Sequence, residues 1–212
     1  MNRLATSRTL SAETLIDVLG SRRQSRELAF ATRAVAVLFV TALTAAAAQV
    51  SVSIPFTEVP FTLQPMVVLM GGLALGPRLG ATAQILYLAA GMAGLPVFAI
   101  SPVLPMGVGR LLGPTGGYLM SYPIAAFVAG ALAARGFDRR YLTSVVAMLA
   151  GLAVIYAFGT LWLGLVARTM SGGAPIGLEA ALAAGVYPFV LADLLKLAFA
   201  AGVMPGLWKF LR

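Results

Sequence analysis

Residues 186–208 read VYPFVLADLLKLAFAAGVMPGLW, a stretch that is apolar except for Asp193 and Lys196 near its middle. It can cross a bilayer, since a spanning helix needs about 20 mostly apolar residues. An ionisable side chain at membrane depth costs at least about 2.5 kcal/mol, and this stretch carries two of them. Because they are three positions apart, they lie on one helix face and can pair with each other. The pattern favours a polar ligand site inside a membrane bundle, and a purely structural ion pair between helices is the alternative.

The whole chain shares this apolar character. Of its 212 residues, 60% are hydrophobic and only 10% are charged. Soluble domains are about 25% charged, so we predict an all-α integral membrane protein. The net charge of +8 comes from basic residues in the tails and short loops. There they orient the protein and contact anionic membrane lipid, so a nucleic-acid partner is not expected.

The sequence supplies few groups for catalysis. It contains no Cys and no His, which removes thiolate and imidazole chemistry and the usual transition-metal ligands. Asp193 is the only carboxylate in the predicted spans, so a carboxylate pair for acid–base work is missing. There is also no P-loop motif for ATP hydrolysis. We therefore predict no catalytic residues, no metal and no cofactor; an intramembrane enzyme acting on a lipid or isoprenoid is the least favoured alternative.

Hydropathy predicts six spans, which places both termini on one side of the membrane. Most basic residues of the tails and turns fall on that side, so the positive-inside rule makes the termini cytoplasmic. We divide the chain into a cytoplasmic tail, residues 1–27, and a membrane domain, residues 28–212. The second and third spans are short and meet at a tight Gly-Pro turn. The predicted spans cover approximately residues 28–50, 65–75, 79–94, 115–134, 141–168 and 186–208.

A ligand pocket is predicted in the outer half of the bundle, between the last three spans. Asp193 and Lys196 lie two to three helical turns below the outer surface, and Tyr118 and Tyr156 fall at a similar depth. The acid and the amine offer an acceptor and donors, and the aromatic walls suit a compact apolar ring. For the tyrosines, plain packing is the alternative. The apolar, Pro-rich loops are expected to roof this pocket as structured outer loops, and residues 95–113 are predicted to contain no helix because they are rich in Pro and Gly.

Six motifs occur along the chain: VPFTLQP (59–65), LGPRLGA (75–81), YLAAGMAGLPVFA (87–99), GPTGGYL (113–119), GTLWL (159–163) and DLLK (193–196). In this order they resemble the biotin-specific S components of energy-coupling-factor (ECF) transporters, the BioY family. The resemblance covers about residues 34–210. It implies a six-helix S-component bundle that captures biotin from the outer side of a bacterial inner membrane. It also implies delivery into the cell together with a transmembrane T component and ATPase subunits.

The resemblance also implies roles for single residues. The Asp and Lys of the D-x-x-K motif, here Asp193 and Lys196, contribute to biotin binding in the family. Ala42 and Ala46 match a small-residue motif of the first helix that docks on the T component. Such a small-xxx-small pair lets another helix approach closely, and packing within the bundle is the alternative reading.

One departure from the family pattern concerns the loop after GLPVF. Relatives carry an Asn there, where this chain has Ile100 and Ser101. We expect Ser101 or Gln64 to supply that hydrogen bond, although Gln64 can equally cap loop backbone. A self-sufficient secondary carrier for a small vitamin, with the Asp–Lys pair as a proton relay, remains the alternative function. The predicted ligand-binding residues are Asp193, Lys196, Gln64, Tyr118, Tyr156 and Ser101.

Overall fold

A computed structural model describes residues 14–16, 25–101, 104–167 and 174–210 of the chain. In this part of the chain, five helices are long and apolar enough to cross a membrane. The prediction of an all-α membrane protein is confirmed. In chain order the elements are α1 (Arg26–Gln49), β1 (Ser51–Val52), β2 (Phe61–Thr62), α2 (Gln64–Met92), α3 (Val108–Leu112), α4 (Gly116–Ala133), a 3-10 turn (Phe137–Arg139), α5 (Tyr141–Leu165), α6 (Leu178–Gly185), α7 (Tyr187–Ala201) and α8 (Val203–Phe210).

Helix α2 bends sharply at the predicted Gly-Pro turn. Gly76 has φ 78° and ψ −179°, a left-handed backbone that side chains with a Cβ rarely adopt, and Pro77 follows it. The two arms approach so closely that a Cβ on Gly80 would lie 2.9 Å from the Cα of Gly72. The chain therefore turns where the sequence predicts, while the count of six spans stays a prediction.

Small residues hold α2 against α4. A Cβ on Gly130 would overlap the backbone of Gly76 and Pro77, and one on Gly72 would overlap the carbonyl oxygen of Ala126. Between lipid-embedded helices, association depends on such close van der Waals packing because lipid supplies little hydrophobic driving force. These contacts place α4 at the centre of the bundle, with α5 packed beside it.

Helix α1 lies at the edge of the bundle. Thr41 Oγ1 donates to the Ala83 carbonyl at 2.9 Å, and Gln84 Nε2 donates to Thr44 Oγ1 at 3.3 Å, so polar side chains join α1 to α2. Ala42 and Ala46 are exposed on α1. Most of the predicted tail, residues 1–27, lies outside the described residues.

Two of the loops that connect the long helices contain short pieces of regular secondary structure. In the hairpin loop, residues 50–63, Ser51 pairs with Thr62 and Val52 with Phe61 in a short antiparallel ladder. Within residues 95–113, which we predicted to contain no helix because of their Pro and Gly content, α3 forms between Pro105 and Pro114. That part of the prediction is wrong because no proline falls inside those five residues, and a single glycine there is tolerated.

Candidate functional site

A cavity lies between the hairpin loop, α4, α5 and the start of α7. Its empty space is about 610 Å³, including its open mouth. Small-molecule pockets are typically lined by apolar walls with a few placed polar groups. The side chains with polar atoms that line it are Thr62, Gln64, Arg110, Thr115, Tyr118, Tyr122, Tyr156 and Asp193.

Asp193 is the acidic group of this cavity. Its side chain is buried, with 5% of the residue exposed, and each carboxylate oxygen has a partner. Lys196 Nζ lies 2.5 Å from Oδ1, and the Tyr156 hydroxyl donates to Oδ2 at 2.5 Å. A buried charge needs such partners, since an uncompensated one is strongly destabilising. Each oxygen keeps a further lone pair, so the carboxylate can still accept N–H groups from a ligand.

Lys196 lies behind the cavity wall and binds the hairpin loop. Its Nζ donates to the Thr62 carbonyl at 2.8 Å and lies 3.9 Å from the centre of the Phe61 ring. Phe61 stacks in turn on Phe189 of α7, with centroids 6.3 Å apart. Lys196 thus fixes both the carboxylate of Asp193 and the loop that covers it, with a cation–π contact in support.

Gln64 lines the cavity at the start of α2 and is 3% exposed. Its Nε2 donates to the Tyr87 hydroxyl at 2.6 Å, and its Oε1 accepts from Thr62 Oγ1 at 3.4 Å. The Tyr87 hydroxyl donates to the Val97 carbonyl at 3.2 Å. Gln64 therefore faces the cavity and belongs to a hydrogen-bond network that reaches two loops.

Tyr118 forms a wall of the cavity. Its hydroxyl donates to the Gly185 carbonyl at 3.1 Å, which ties α4 to the end of α6. A Cβ on either Gly159 or Gly185 would overlap the Tyr118 side chain. Because the hydroxyl already donates its hydrogen bond to a backbone carbonyl, the ring is the part of Tyr118 that faces a ligand.

Arg110 of α3 also lines the cavity, although it was not among the residues predicted from the sequence. It is 3% exposed, and its guanidinium donates to the carbonyls of Ala99 (Nη2, 2.9 Å) and Pro105 (Nε, 3.0 Å). Burial lowers its pKa from the ordinary value, but arginine stays charged at neutral pH. Among the described residues, no carboxylate forms an ion pair with it. A buried cation paired only with neutral carbonyls is suited to binding an anion.

Ser101 is not brought together with the other predicted residues. It lines a separate hollow with Gln49 and Arg110, and its Oγ accepts from the Leu104 amide at 3.2 Å. The remaining five predicted residues meet at the cavity or directly behind it. A signal for Arg110 was present in the sequence, as an arginine within an apolar, Pro-rich loop that precedes the GPTGGYL motif.

The cavity combines an acceptor on α7, a cation on α3 and aromatic rings on α4 and α5. This arrangement fits a small ligand with N–H groups, a compact apolar body and a carboxylate. In the part of the chain that the structure covers, no cluster of three His, Cys, Asp or Glu side chains could hold a metal ion.

Residues 20–212 match a family described as the BioY family. The chain is 45% identical over 163 residues to a probable biotin transporter BioY of Pyrococcus horikoshii, and the aligned part covers 77% of this chain and 87% of that protein. It is 40% identical over 151 residues to the biotin transporter BioY of Thermotoga maritima, covering 71% and 81%. A crystal structure at 2.1 Å of the S-component for biotin from an ECF-type ABC transporter has a similar fold, with a TM-score of 0.73 at 23% identity over 88% of this chain and 95% of that one.

Proposed function

The chain belongs to the BioY family, and from this premise we propose that it is the substrate-binding membrane subunit of a biotin transporter. The observation that carries the proposal is the cavity itself, which is lined by a buried carboxylate, a buried guanidinium and several aromatic side chains. Biotin has the complementary parts: a ureido ring with two N–H groups, an apolar thiolane ring and a side chain that ends in a carboxylate.

The ureido ring binds at Asp193. Its N–H groups donate to the carboxylate, and hydrogen bonds to a charged acceptor are the strong ones. Tyr156 and Lys196 already hold this carboxylate in one orientation, so little rotamer freedom is lost when the ligand arrives. In this assignment Lys196 stabilises the acceptor and the hairpin loop, and the ring packs against the cavity's aromatic side chains.

The carboxylate of biotin binds at Arg110. The guanidinium has five N–H donors, and two of its nitrogens are used by the carbonyls of Ala99 and Pro105. The remaining donors supply the charge-assisted contact that selects an anionic tail over a neutral one.

Transport then requires partners. The chain has no P-loop, so we propose that a transmembrane T component and ATPase subunits of an ECF transporter supply the energy. Ala42 and Ala46 are exposed on α1 and suit close approach of a partner helix. The protein performs no catalysis in this account. It resides in a bacterial plasma membrane, surrounded by lipid, with both termini cytoplasmic and biotin captured from the outside.

Mass spectrometry of the small molecules released from purified, denatured protein tests the proposal. We expect biotin in near-stoichiometric amount from the wild-type protein and a large loss of it from Asp193→Asn. Release of a different vitamin would contradict the proposed substrate. Biotin uptake by the chain alone, without ATPase partners and abolished by an uncoupler, would identify a secondary carrier instead.

A further inference from the structure

Tyr87 lies behind the cavity and touches three residues that line it. The residue is 0% exposed, and its hydroxyl accepts from Gln64 Nε2 at 2.6 Å. Its ring meets Phe98 edge to face, with centroids 5.5 Å apart, and stacks on Tyr122 at 6.4 Å. The same hydroxyl donates to the Val97 carbonyl at 3.2 Å. Tyr87 therefore joins the cavity to the 95–101 loop, the segment that begins after the end of α2.

The single proton of the Tyr87 hydroxyl determines how Gln64 is oriented. A phenol donates one hydrogen bond. Because Val97 accepts that proton, the hydroxyl can only accept from Gln64, and the amide must turn its Nε2 towards Tyr87. Its Oε1 then faces Thr62 Oγ1, at 3.4 Å, and keeps a lone pair for a ligand donor.

The same network continues to the hairpin loop and to Asp193. The Thr62 backbone carbonyl accepts from Lys196 Nζ at 2.8 Å, and Lys196 pairs with Asp193. Polar side chains in a low dielectric reinforce one another when every member is satisfied. Loss of one contact therefore affects the others more than its own strength indicates.

We propose that Tyr87 is a positioning residue: it couples the position of the 95–101 loop to the orientation of the Gln64 amide, and so to whether Oε1 or Nε2 faces the cavity. With the loop packed down, the Val97 carbonyl accepts the hydrogen bond of the Tyr87 hydroxyl, and Gln64 presents its acceptor to the cavity. When the loop moves away, the Tyr87 hydroxyl donates its hydrogen bond to Gln64 Oε1 instead, the amide turns over, and the acceptor is withdrawn from the cavity. Biotin held by that acceptor therefore favours the packed-down loop. This inference rests on the proposed function, since it takes biotin as the ligand.

Tyr87→Phe tests the coupling because it keeps the ring and removes only the hydroxyl. We expect biotin to dissociate about tenfold faster, while the association rate changes by less than about threefold, since loss of one buried hydrogen bond corresponds to roughly that factor. Tyr141→Phe is the matched control: its hydroxyl donates to the Ala198 carbonyl at 3.0 Å on the half-exposed surface, away from the cavity. Its dissociation rate should equal that of the wild-type protein.

A double-mutant cycle with Gln64→Leu separates positioning from plain packing. If Tyr87 acts through Gln64, adding Tyr87→Phe to Gln64→Leu accelerates dissociation by less than about twofold. Independent, multiplicative effects, or a Tyr87→Phe rate within twofold of wild type, would overturn the inference. Hydrogen exchange of ligand-free protein gives a second readout: Tyr87→Phe must speed exchange in residues 97–101, and unchanged exchange there would also overturn it. If the wild-type protein binds no biotin, the proposed function is contradicted instead. The hydrogen-exchange result then still shows whether the Tyr87 hydroxyl holds the 95–101 loop in place.

Discussion

Lys196 Nζ on α7 donates a 2.8 Å hydrogen bond to the backbone carbonyl of Thr62 in the hairpin loop, although the two residues are 134 positions apart in the chain. The same ammonium group pairs with Asp193 at 2.5 Å. One cation therefore stabilises both the acid that receives the ligand and the loop that borders the cavity. A substitution at Lys196 is expected to affect both together.

Lys196→Met keeps the apolar stem of the side chain and removes the charge. Asp193 then keeps only Tyr156 as a described partner, and the Thr62 carbonyl loses its donor. We expect the Kd for biotin to rise by at least about tenfold, the equivalent of about 1.4 kcal/mol. Equilibrium binding to detergent-purified protein measures this. Lys209→Met, at the exposed lysine near the end of α8, is the control and should leave the Kd unchanged.

Arg110→Gln removes the cation of the cavity while keeping two N–H donors. We expect biotin to lose about tenfold or more in affinity, since charge-assisted hydrogen bonds are worth about 1.5–3 kcal/mol. Biotinamide, whose tail is neutral, should lose much less. Competition binding with both ligands gives the ratio, and equal losses would show that Arg110 does not bind the carboxylate. Arg78→Gln, at an exposed arginine beside the bend of α2, is the matched control.

Gly130→Ala tests the packing of α4 on the bend of α2. The added Cβ would overlap the backbone of Gly76 and Pro77, which cannot rotate away as a side chain can. Overpacking of this kind costs about 1–3 kcal/mol, so we expect a lower thermal midpoint. At Gly206 of α8 an added Cβ meets nothing within 4 Å. Gly206→Ala should therefore be neutral or stabilising, and an equal loss in both variants would contradict this view of the packing.

Asp138, in the turn before α5, gives stability a dependence on pH. It is 0% exposed and accepts from Trp208 Nε1 at 2.6 Å, while Arg139 Nε lies 3.3 Å from its other oxygen. Burial outweighs these contacts and raises its pKa above the usual 3.8. The folded state thus holds the proton more tightly than the unfolded chain. The resulting contribution to stability is present below pH 3.8 and is lost as pH rises through the folded pKa.

Trp208→Phe removes a hydrogen bond that lowers this pKa, so it raises the folded value further. We expect a loss of about 1–3 kcal/mol at pH 7.5 and a smaller loss near pH 4.5, measured from thermal midpoints at both pH values. Trp162→Phe removes a bond to the neutral Gly113 carbonyl, 2.9 Å long, and serves as the control. Its effect should be the same at both pH values. A Trp208→Phe effect that is equally independent of pH would contradict the role given to Asp138.

Features with a local cause were predictable from the sequence. The pairing of Asp193 with Lys196 follows from helical spacing, and the bend at Gly76 follows from a Gly-Pro pair between two apolar segments. Membrane insertion follows from composition alone. In each case the deciding residues are neighbours along the chain.

The rest depends on contacts between distant residues, for which the sequence carries no direct signal. Arg110 lines the cavity because α3 forms and because the Arg110 guanidinium donates to the carbonyl of Ala99, 11 positions earlier in the chain. Tyr87 lies 23 positions from Gln64, and nothing in its own motif indicates that pairing. Ser101 was predicted to replace the Asn of relatives; its side chain lines a neighbouring hollow together with Arg110, and its role in ligand binding stays a prediction.

Titration calorimetry of biotin into purified protein, with wild type and Asp193→Asn side by side, tests the central claim most directly. Asparagine has nearly the same shape as aspartate, but it leaves Lys196 without its counter-charge and offers the ureido ring no charged acceptor. We predict one-to-one binding by the wild-type protein and a loss of about a hundredfold in Asp193→Asn, the scale expected when one partner of a buried ion pair is removed. Equal affinities in the two proteins would contradict the assignment of Asp193 as the group that holds the ligand.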